Sequence, residues 1–468
     1  MYLISNWWFR ALVVLAFLTS CDLPSGRPTT TSANSPSVGW RSVDLPFRPM
    51  DVIAVADSLW VSGADEMIAV SRDGGNQWSV KHQKVDGDIL LRLVFVNPMV
   101  GYAAGTNGTF LSSRDGGETW TSVPGSRETI LDISFSDERH GIRRGRSSVE
   151  TTEDAGLHWT EASALRNDPA IRPFTNILSV ALLDANRSAI ALHQTQGENI
   201  FVITRDGGKN WKSIHLDNTF AGTLFTHKGE YWAFGIEYVE REKGGGYSVP
   251  VAIHSADGEQ WTHGVRAPAE FNSCASQGCI LYDGAIADLY NEQPIFLSVP
   301  ADGSLQPSWA LAKDTVCSVG VILKCAQSAV VSKVPQRPPV ENRPHSAGVG
   351  IPLAYETSLT PVSSCLRCQL GSFPVSKDVK GMAVVEAQFI IKKDGTVREV
   401  RVKNAPLKEI ESGTQAIVRE WFFEPARSAG GPSETMERIR LNVTCFAFPD
   451  NDLGTCTVLG PPPPKRTE

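Results

Sequence analysis

At 468 residues the chain exceeds one ordinary core and calls for two domains or one large repeat domain. Its 40 glycines and 29 prolines suit many short strands joined by turns. A formal charge of −7 excludes nucleic acid as an expected partner, because phosphate binding needs a basic surface.

Residues 1–20 read as a signal peptide and not as fold. Arg10 precedes an apolar run, Ala11 to Leu18, which is shorter than the roughly 20 residues a bilayer span requires. The run ends in Leu18-Thr19-Ser20-Cys21, which resembles the lipobox of bacterial lipoproteins. That resemblance implies cleavage before Cys21, lipidation of Cys21, and a stable anchor held by several acyl chains. The alternative is an ordinary cleaved signal with an incidental cysteine. The expected location is the cell envelope, facing the periplasm, with inner and outer membrane both open after Asp22. Residues 21–37 form a Ser/Thr/Pro-rich linker.

A repeat follows. Ser71-Arg-Asp73-Gly-Gly75-Asn-Gln-Trp78 recurs with its aspartate and tryptophan at Asp115 and Trp120, Asp154 and Trp159, Asp206 and Trp211, and Asp257 and Trp261. A decayed copy surrounds Asp302-Gly303 and Trp309. These are Asp boxes. The hydroxyl and carboxylate satisfy backbone donors within a tight turn, the glycines supply positive φ, and the tryptophan opens the next strand. The five aspartates are expected to be structural, since one carboxylate per turn offers calcium too few oxygens. No metal or cofactor is expected.

Two strand-like runs precede each box. In the second repeat they are Leu91 to Val96 and Gly101 to Gly105, with Gly108 to Leu111 leading into the box; the third replays them at Ile130 to Phe135, Gly141 to Gly145 and Ser147 to Thr152. Three strands, a box and a fourth strand make one blade of a propeller. The tryptophans from Trp40 to Trp309 recur about every 40 to 50 residues, the period of such a blade. Residues 38–334 are therefore predicted to form a seven-bladed Asp-box β-propeller, with six blades as the alternative. Trp40 to Leu45 is expected to close against strands within 313–334. Glu240 to Gly246 inserts a charged, glycine-rich hairpin in the fifth blade.

Beyond Cys21 the cysteines are Cys274, Cys279, Cys317, Cys325, Cys365, Cys368, Cys445 and Cys456. An even number in an exported chain reads as disulfides, and their sequence-local grouping points to local pairs. Cys274/Cys279 and Cys317/Cys325 are expected to staple adjacent strands. Cys365-Leu-Arg-Cys368 is the one couple with a redox or metal alternative, but no second such couple completes a zinc site.

Gly101-Tyr-Ala-Ala-Gly105, Gly108-Thr-Phe-Leu111 and the Asp115 to Trp120 box resemble the blade of the photosystem II stability/assembly factor family. The resemblance implies a propeller of the envelope or thylakoid lumen that holds membrane-protein subunits during assembly. Asp boxes also occur in sialidases, and Phe47-Arg48-Pro49-Met50 faintly resembles one element of that family. Its arginine triad and Tyr–Glu pair are not placed, so no catalytic residue is assigned. Arg139, Arg143, Arg144 and Arg146, with His140, are read as clustering at the second-to-third strand hairpin of the third blade, as a docking patch or a solvated hairpin.

Residues 335–374 are a Pro-rich linker and cysteine-containing lead-in. Residues 375–460 form a small α+β domain: strands at Met382 to Ile391, Thr396 to Val402 and Ile439 to Phe446, and a helix over Leu407 to Glu420. Asp394-Gly395-Thr-Val397 and Trp421-Phe-Phe423-Glu-Pro425-Ala426 resemble the C-terminal domain of TonB-family proteins, which implies a docking module that binds partner peptides by strand addition. Residues 461–468 are a disordered tail. The expected function is a non-catalytic envelope scaffold or assembly factor that binds envelope or membrane proteins and reaches the membrane through its lipid. The alternatives are a TonB-type transducer or periplasmic sensor, and a sialidase-like hydrolase.

Overall fold

Short apolar runs broken by glycine-rich turns become antiparallel strands throughout the computed structural model, which describes residues 39–331 and 365–460 apart from short internal stretches, the longest being 299–307. The signal peptide, the lipobox with Cys21, both linkers' sequence signals, Asp302-Gly303 and the tail lie outside the described residues.

The first sheet shows why the repeat folds as it does. Pro49–Val55, Ser58–Gly63, Ile68–Ser71 and Ser79–His82 pair in that order, each strand returning beside the last. The middle strands are buried along their length and the fourth is exposed, so each sheet is covered on its broad faces and its last strand meets solvent. The pattern recurs with first strands at Leu90–Asn97, Asp132–Phe135, Asn176–Leu182 and Thr219–His227. A further sheet runs Phe271–Ala275, Gly278–Leu281, Ala285–Asp288 and Ile295–Ser298, with Ala329–Val331 added outside. In the last sheet, Ser308–Ala312, Thr315–Val319 and Leu323–Gln327 are joined by Arg41–Val43 from the other end of the chain, with Arg41 opposite Cys325 and Val43 opposite Leu323.

The first strands of neighbouring sheets flank one another from the first sheet to the fifth, and Ser308–Ala312 lies against Pro49–Val55. Polar side chains stitch them. Asp51 Oδ2 accepts the Leu93 N–H at 2.9 Å, Ser308 Oγ donates to Asp51 Oδ1 at 2.7 Å, and Ser179 Oγ accepts the Leu224 N–H at 2.9 Å. Asp132 and Ser134 accept from Val180 and Leu182 in the same way, at 3.3 and 3.1 Å. These groups satisfy backbone donors that neighbouring first strands, splayed by twist, leave unpaired.

One sequence expectation needs correcting. Trp309 was placed as a box tryptophan opening an outer strand; it lies inside Ser308–Ala312, the first strand of its sheet, and is buried there. The fourth strand of the preceding sheet is Ile295–Ser298, and Asp302-Gly303 lies outside the described residues. The even spacing of Trp309 is coincidence; a first strand buries indole as readily as a box does. In the fifth sheet, Glu230–Glu240 and Gly246–Ser255 run on as a long hairpin, with Glu240 opposite Gly246.

After residue 364 a second sheet takes the order Ser372–Ser376, Leu453–Gly460, Thr435–Ala447, Gly381–Ile391, Val397–Lys403. The helix Lys408–Arg419 packs against it, with Ile410, Thr414 and Val418 buried. Val385, Ala387, Phe389 and Ile391 alternate into the core, where they meet Trp421 and Phe423. Phe389 and Trp421 rings sit edge to face at 6.3 Å.

Candidate functional site

The boxes are turns that hold themselves. In the second, Ser113 Oγ accepts the Gly117 N–H at 2.9 Å and donates to Asp115 Oδ1 at 2.8 Å, while Asp115 accepts the Thr119 N–H and hydroxyl at 3.0 and 2.6 Å. Trp120 Nε1 donates to the Gly117 carbonyl at 3.0 Å. The set recurs around Asp73, Asp154, Asp206 and Asp257, with indole bonds from Trp78, Trp211 and Trp261. The Thr119 hydroxyl first, then its N–H and Ser113, hold the Asp115 carboxyl down at about 2. Asp154 and Asp206 are also held at about 2, chiefly by the backbone N–H groups of His158 and Asn210.

The second box glycine is also a packing point. A Cβ on Gly117, which has φ +81°, meets the Trp60 ring at 2.3 Å, and one on Gly156 meets Phe110 at 2.4 Å. Both rings belong to the preceding sheet. At Gly75 the same place is filled by Cys317 and Cys325, whose Sγ atoms would lie 3.3 and 3.0 Å from that Cβ. These two cysteines form a disulfide across adjacent strands, so a cystine stands where the boxes of the next two sheets meet an aromatic ring. Cys365–Cys368 and Cys445–Cys456 are likewise joined. Cys274 faces Cys279 in the backbone register; their side chains lie outside the described residues.

The four arginines do not make one patch. Residues 141–144 form a strand, so its two ends are separated and alternate side chains diverge. Arg139 sits at the first-to-second turn and bonds the Glu153 carbonyl at 3.1 Å, beside His140 on Asp137. Arg143 is buried, 2.7 Å from Glu150 and 4.2 Å over the Trp159 ring. Arg144 is buried too. Only Arg146 reaches the second-to-third hairpin, and what it meets is the chain's own C-terminal domain.

That contact defines the candidate site. In the first three sheets the end opposite the boxes, formed by the starts of the first strands and the second-to-third turns, meets Cys365–Arg367 and residues 422–427. Strand alternation in the Trp421 motif sends Trp421 and Phe423 into the C-terminal core and Phe422 outward. Phe422 and Leu366 pack on Met50, Ile89 and Leu91 and are fully buried. The Arg48 guanidinium lies 4.5 Å over the Phe422 ring, so the residue that resembled a sialidase element holds this contact. Polar bonds rim it. Thr129 donates to Glu424 at 2.8 Å, Arg146 reaches Glu424 and the Cys365 carbonyl at 3.5 Å, and Arg427 pairs with Asp88.

A crevice beside these contacts is lined by Asp65, Asp88, Asn107, Lys393, Asp394 and Arg427. Burial, and then repulsion from Asp86 and Asp394, raises the Asp65 carboxyl above the usual range. For neighbouring Glu66, burial acts upward but is outweighed by bonds from His82, Lys84 and the Asp88 N–H, which hold it at about 2. Among the described residues no His, Cys, Asp and Glu side chains gather in a group that could hold a metal ion. Sequence reasoning missed Phe422, Glu424 and Arg48 as docking residues. The available signal was Phe422, an aromatic residue in outward phase between two core aromatics.

Residues 32–128 match the family model described as Photosynthesis system II assembly factor YCF48. The chain is 28% identical over 159 residues to the photosystem II assembly lipoprotein Ycf48 of Synechococcus sp. (strain CC9902), covering 32% of this chain and 47% of that one. It is 27% identical over the same length to the chloroplastic photosystem II stability/assembly factor HCF136 of Arabidopsis thaliana, covering 37% of that protein. The chain thus spans less than half the length of these curated relatives. A solved structure, YCF48 bound to D1 peptide, superposes with a TM-score of 0.39 at 15% identity, over 62% of this chain and 99% of that one. The chain is therefore a mainly β protein whose early repeats are of the kind found in the Ycf48 and HCF136 assembly factors.

Proposed function

We propose that this chain is a non-catalytic, lipid-anchored envelope scaffold that binds proteins through a seven-bladed propeller and a C-terminal domain resembling that of TonB. The similarity to assembly factors supports a protein-binding role, and one of those relatives carries the word lipoprotein in its name. Seven sheets among the described residues before residue 332, the last of them joined by Arg41–Val43 from the other end of the chain, support the seven-bladed reading.

The observation that carries the two-module reading is the seating of Phe422 and Leu366 on Met50, Ile89 and Leu91, an apolar contact between two units that each have their own core. Neither module acts as a passenger on a linker. The C-terminal domain covers one end of the early blades and leaves the box end and its own outer sheet face for other proteins or surfaces.

Crosslinking and co-purification of the tagged full chain from native membranes, beside a version ending at Val334, tests this. A discrete set of envelope proteins on the full chain, retained in part by the propeller, is the expected result. Recovery of only motor subunits and outer-membrane transporters, lost on truncation, would favour an energy transducer.

A further inference from the structure

The outer face of the C-terminal sheet carries a charge pattern unlike the rest of this net-acidic chain. Because Val385, Ala387, Phe389 and Ile391 point inward, Met382, Val384, Glu386, Gln388 and Ile390 take the outward phase. The register sets neighbours beside them in rows: Lys403, Glu386 and Arg440; Arg401, Gln388 and Arg438; Arg398, Ile390 and Met436. Five cations thus share three strands, and Glu386 is the one carboxylate within the rows.

Glu386 is taken by Arg438 at 3.3 Å, and Arg398 is engaged at the margin by Glu434 at 2.8 Å and by Glu399. Arg401, Lys403 and Arg440 are exposed and form no ion pair with any described residue. Apolar side chains flank the cations without cover: Met382 is 73% exposed, Met436 64% and Val384 50%. The helix lies on the opposite face and the propeller contact is made by Phe422 and Leu366, so neither shields these rows.

We propose that this sheet face lies on an anionic phospholipid surface. The unpaired cations sit among headgroup phosphates, while the flexible Met382 and Met436 side chains and Val384 reach the glycerol level beneath. A specific protein partner would be gripped by aromatic anchors in a desolvated centre. The described residues of this face offer cations and unbranched thioethers instead, which suits a fluid, laterally adaptable anion layer. The face is independent of Cys21; it sets how the domain lies on a membrane and not whether a lipid tethers it.

The test uses the full chain with Cys21→Ser, so that no acyl chain contributes, sedimented with vesicles of phosphatidylcholine alone or with about a third phosphatidylglycerol. The expected result is a preference for the anionic vesicles that fades with added salt. Each cation at such a surface is worth about fivefold in partitioning, so Arg401→Gln, Lys403→Gln and Arg440→Gln together should weaken anionic binding about a hundredfold. Met382→Ala with Met436→Ala should weaken it less and independently of salt. Equal binding of the triple variant and its parent, with unchanged thermal unfolding, overturns the proposal. So does the absence of any preference for phosphatidylglycerol, including a case where an acidic polypeptide such as polyglutamate binds these residues instead. Lipidation failing at Cys21 leaves both vesicle results unaltered, so the two ideas fail separately.

Discussion

Replacing Phe422 by alanine separates docking from folding. The ring is fully buried, but its neighbours are Met50, Ile89 and Leu91 of the propeller, with Arg48 4.5 Å above it. Burial of a phenylalanine is worth about 2–3 kcal/mol. A half-buried guanidinium over its face adds about 1–2 kcal/mol. Phe422→Ala should therefore cost the inter-module contact about 3–5 kcal/mol, a fall in the docked-to-undocked ratio of roughly 150- to 4,000-fold. Phe423→Ala removes a ring of equal size from the C-terminal core and serves as the contrast. Fluorescence transfer between dyes on exposed sites of the two modules reports docking, and calorimetry reports unfolding. Phe422→Ala should lower transfer while the C-terminal domain keeps its own transition; Phe423→Ala should melt that domain. If Phe422→Ala leaves transfer unchanged, or destabilises the C-terminal domain as much as Phe423→Ala does, the assignment of Phe422 to the interface is wrong.

Further outcomes follow from the boxes and the crevice. Gly117→Ala should lower the melting temperature more than Gly229→Ala: both carry positive φ, costing about 1–2 kcal/mol, but only Gly117 drives its Cβ into Trp60. Because Asp115, Asp154 and Asp206 are held at about 2, below the unfolded carboxylate, their support is present above roughly pH 4 and lost as pH falls towards 2. A pH series of melting temperatures should show that decline, shallower for Asp115→Asn. The sign is reversed for Asp65, whose raised carboxyl costs stability as pH rises through its folded value. Asp65→Asn should therefore strengthen docking at pH 7 and change little at pH 3, and asparagine accepts the φ of +57° found there. Replacing Cys317 and Cys325 by alanine should cost about 2–3 kcal/mol, read as a melting shift absent when the parent is already reduced.

The boxes were legible because their chemistry is local: Ser113, Asp115, Gly117 and Trp120 bond within a few residues of one another, so spacing carries the structure. Strands with strict alternation, such as Gly381–Ile391, were equally plain. What spacing cannot carry is who sits opposite whom across hundreds of residues. Asp51 reaching Ser308, or Thr129 reaching Glu424, has no signature within any window. Four arginines near one another in sequence suggested one patch, yet they fall before, within and after the strand Gly141–Arg144, whose ends lie apart. Trp309 misled through regular spacing alone, since a tryptophan buried in a first strand and one in a box look alike as letters.

The strand Arg41–Val43 is made early in synthesis, yet its partner Leu323–Gln327 comes after nearly the whole propeller. Until then it is an orphan edge, able to template the wrong neighbour. Its design limits that hazard: only three residues long, with Arg41 and Ser42 turned to solvent and Val43 alone buried. When the partner arrives, Arg41 also donates to the Gly75 carbonyl at 2.9 Å, which ties the latch to the first box. Closure thus waits for the last strands to be synthesised. A chain truncated before residue 308 would lack Ser308–Ala312, the strand that lies against Pro49–Val55, and so would leave that side of the first sheet open.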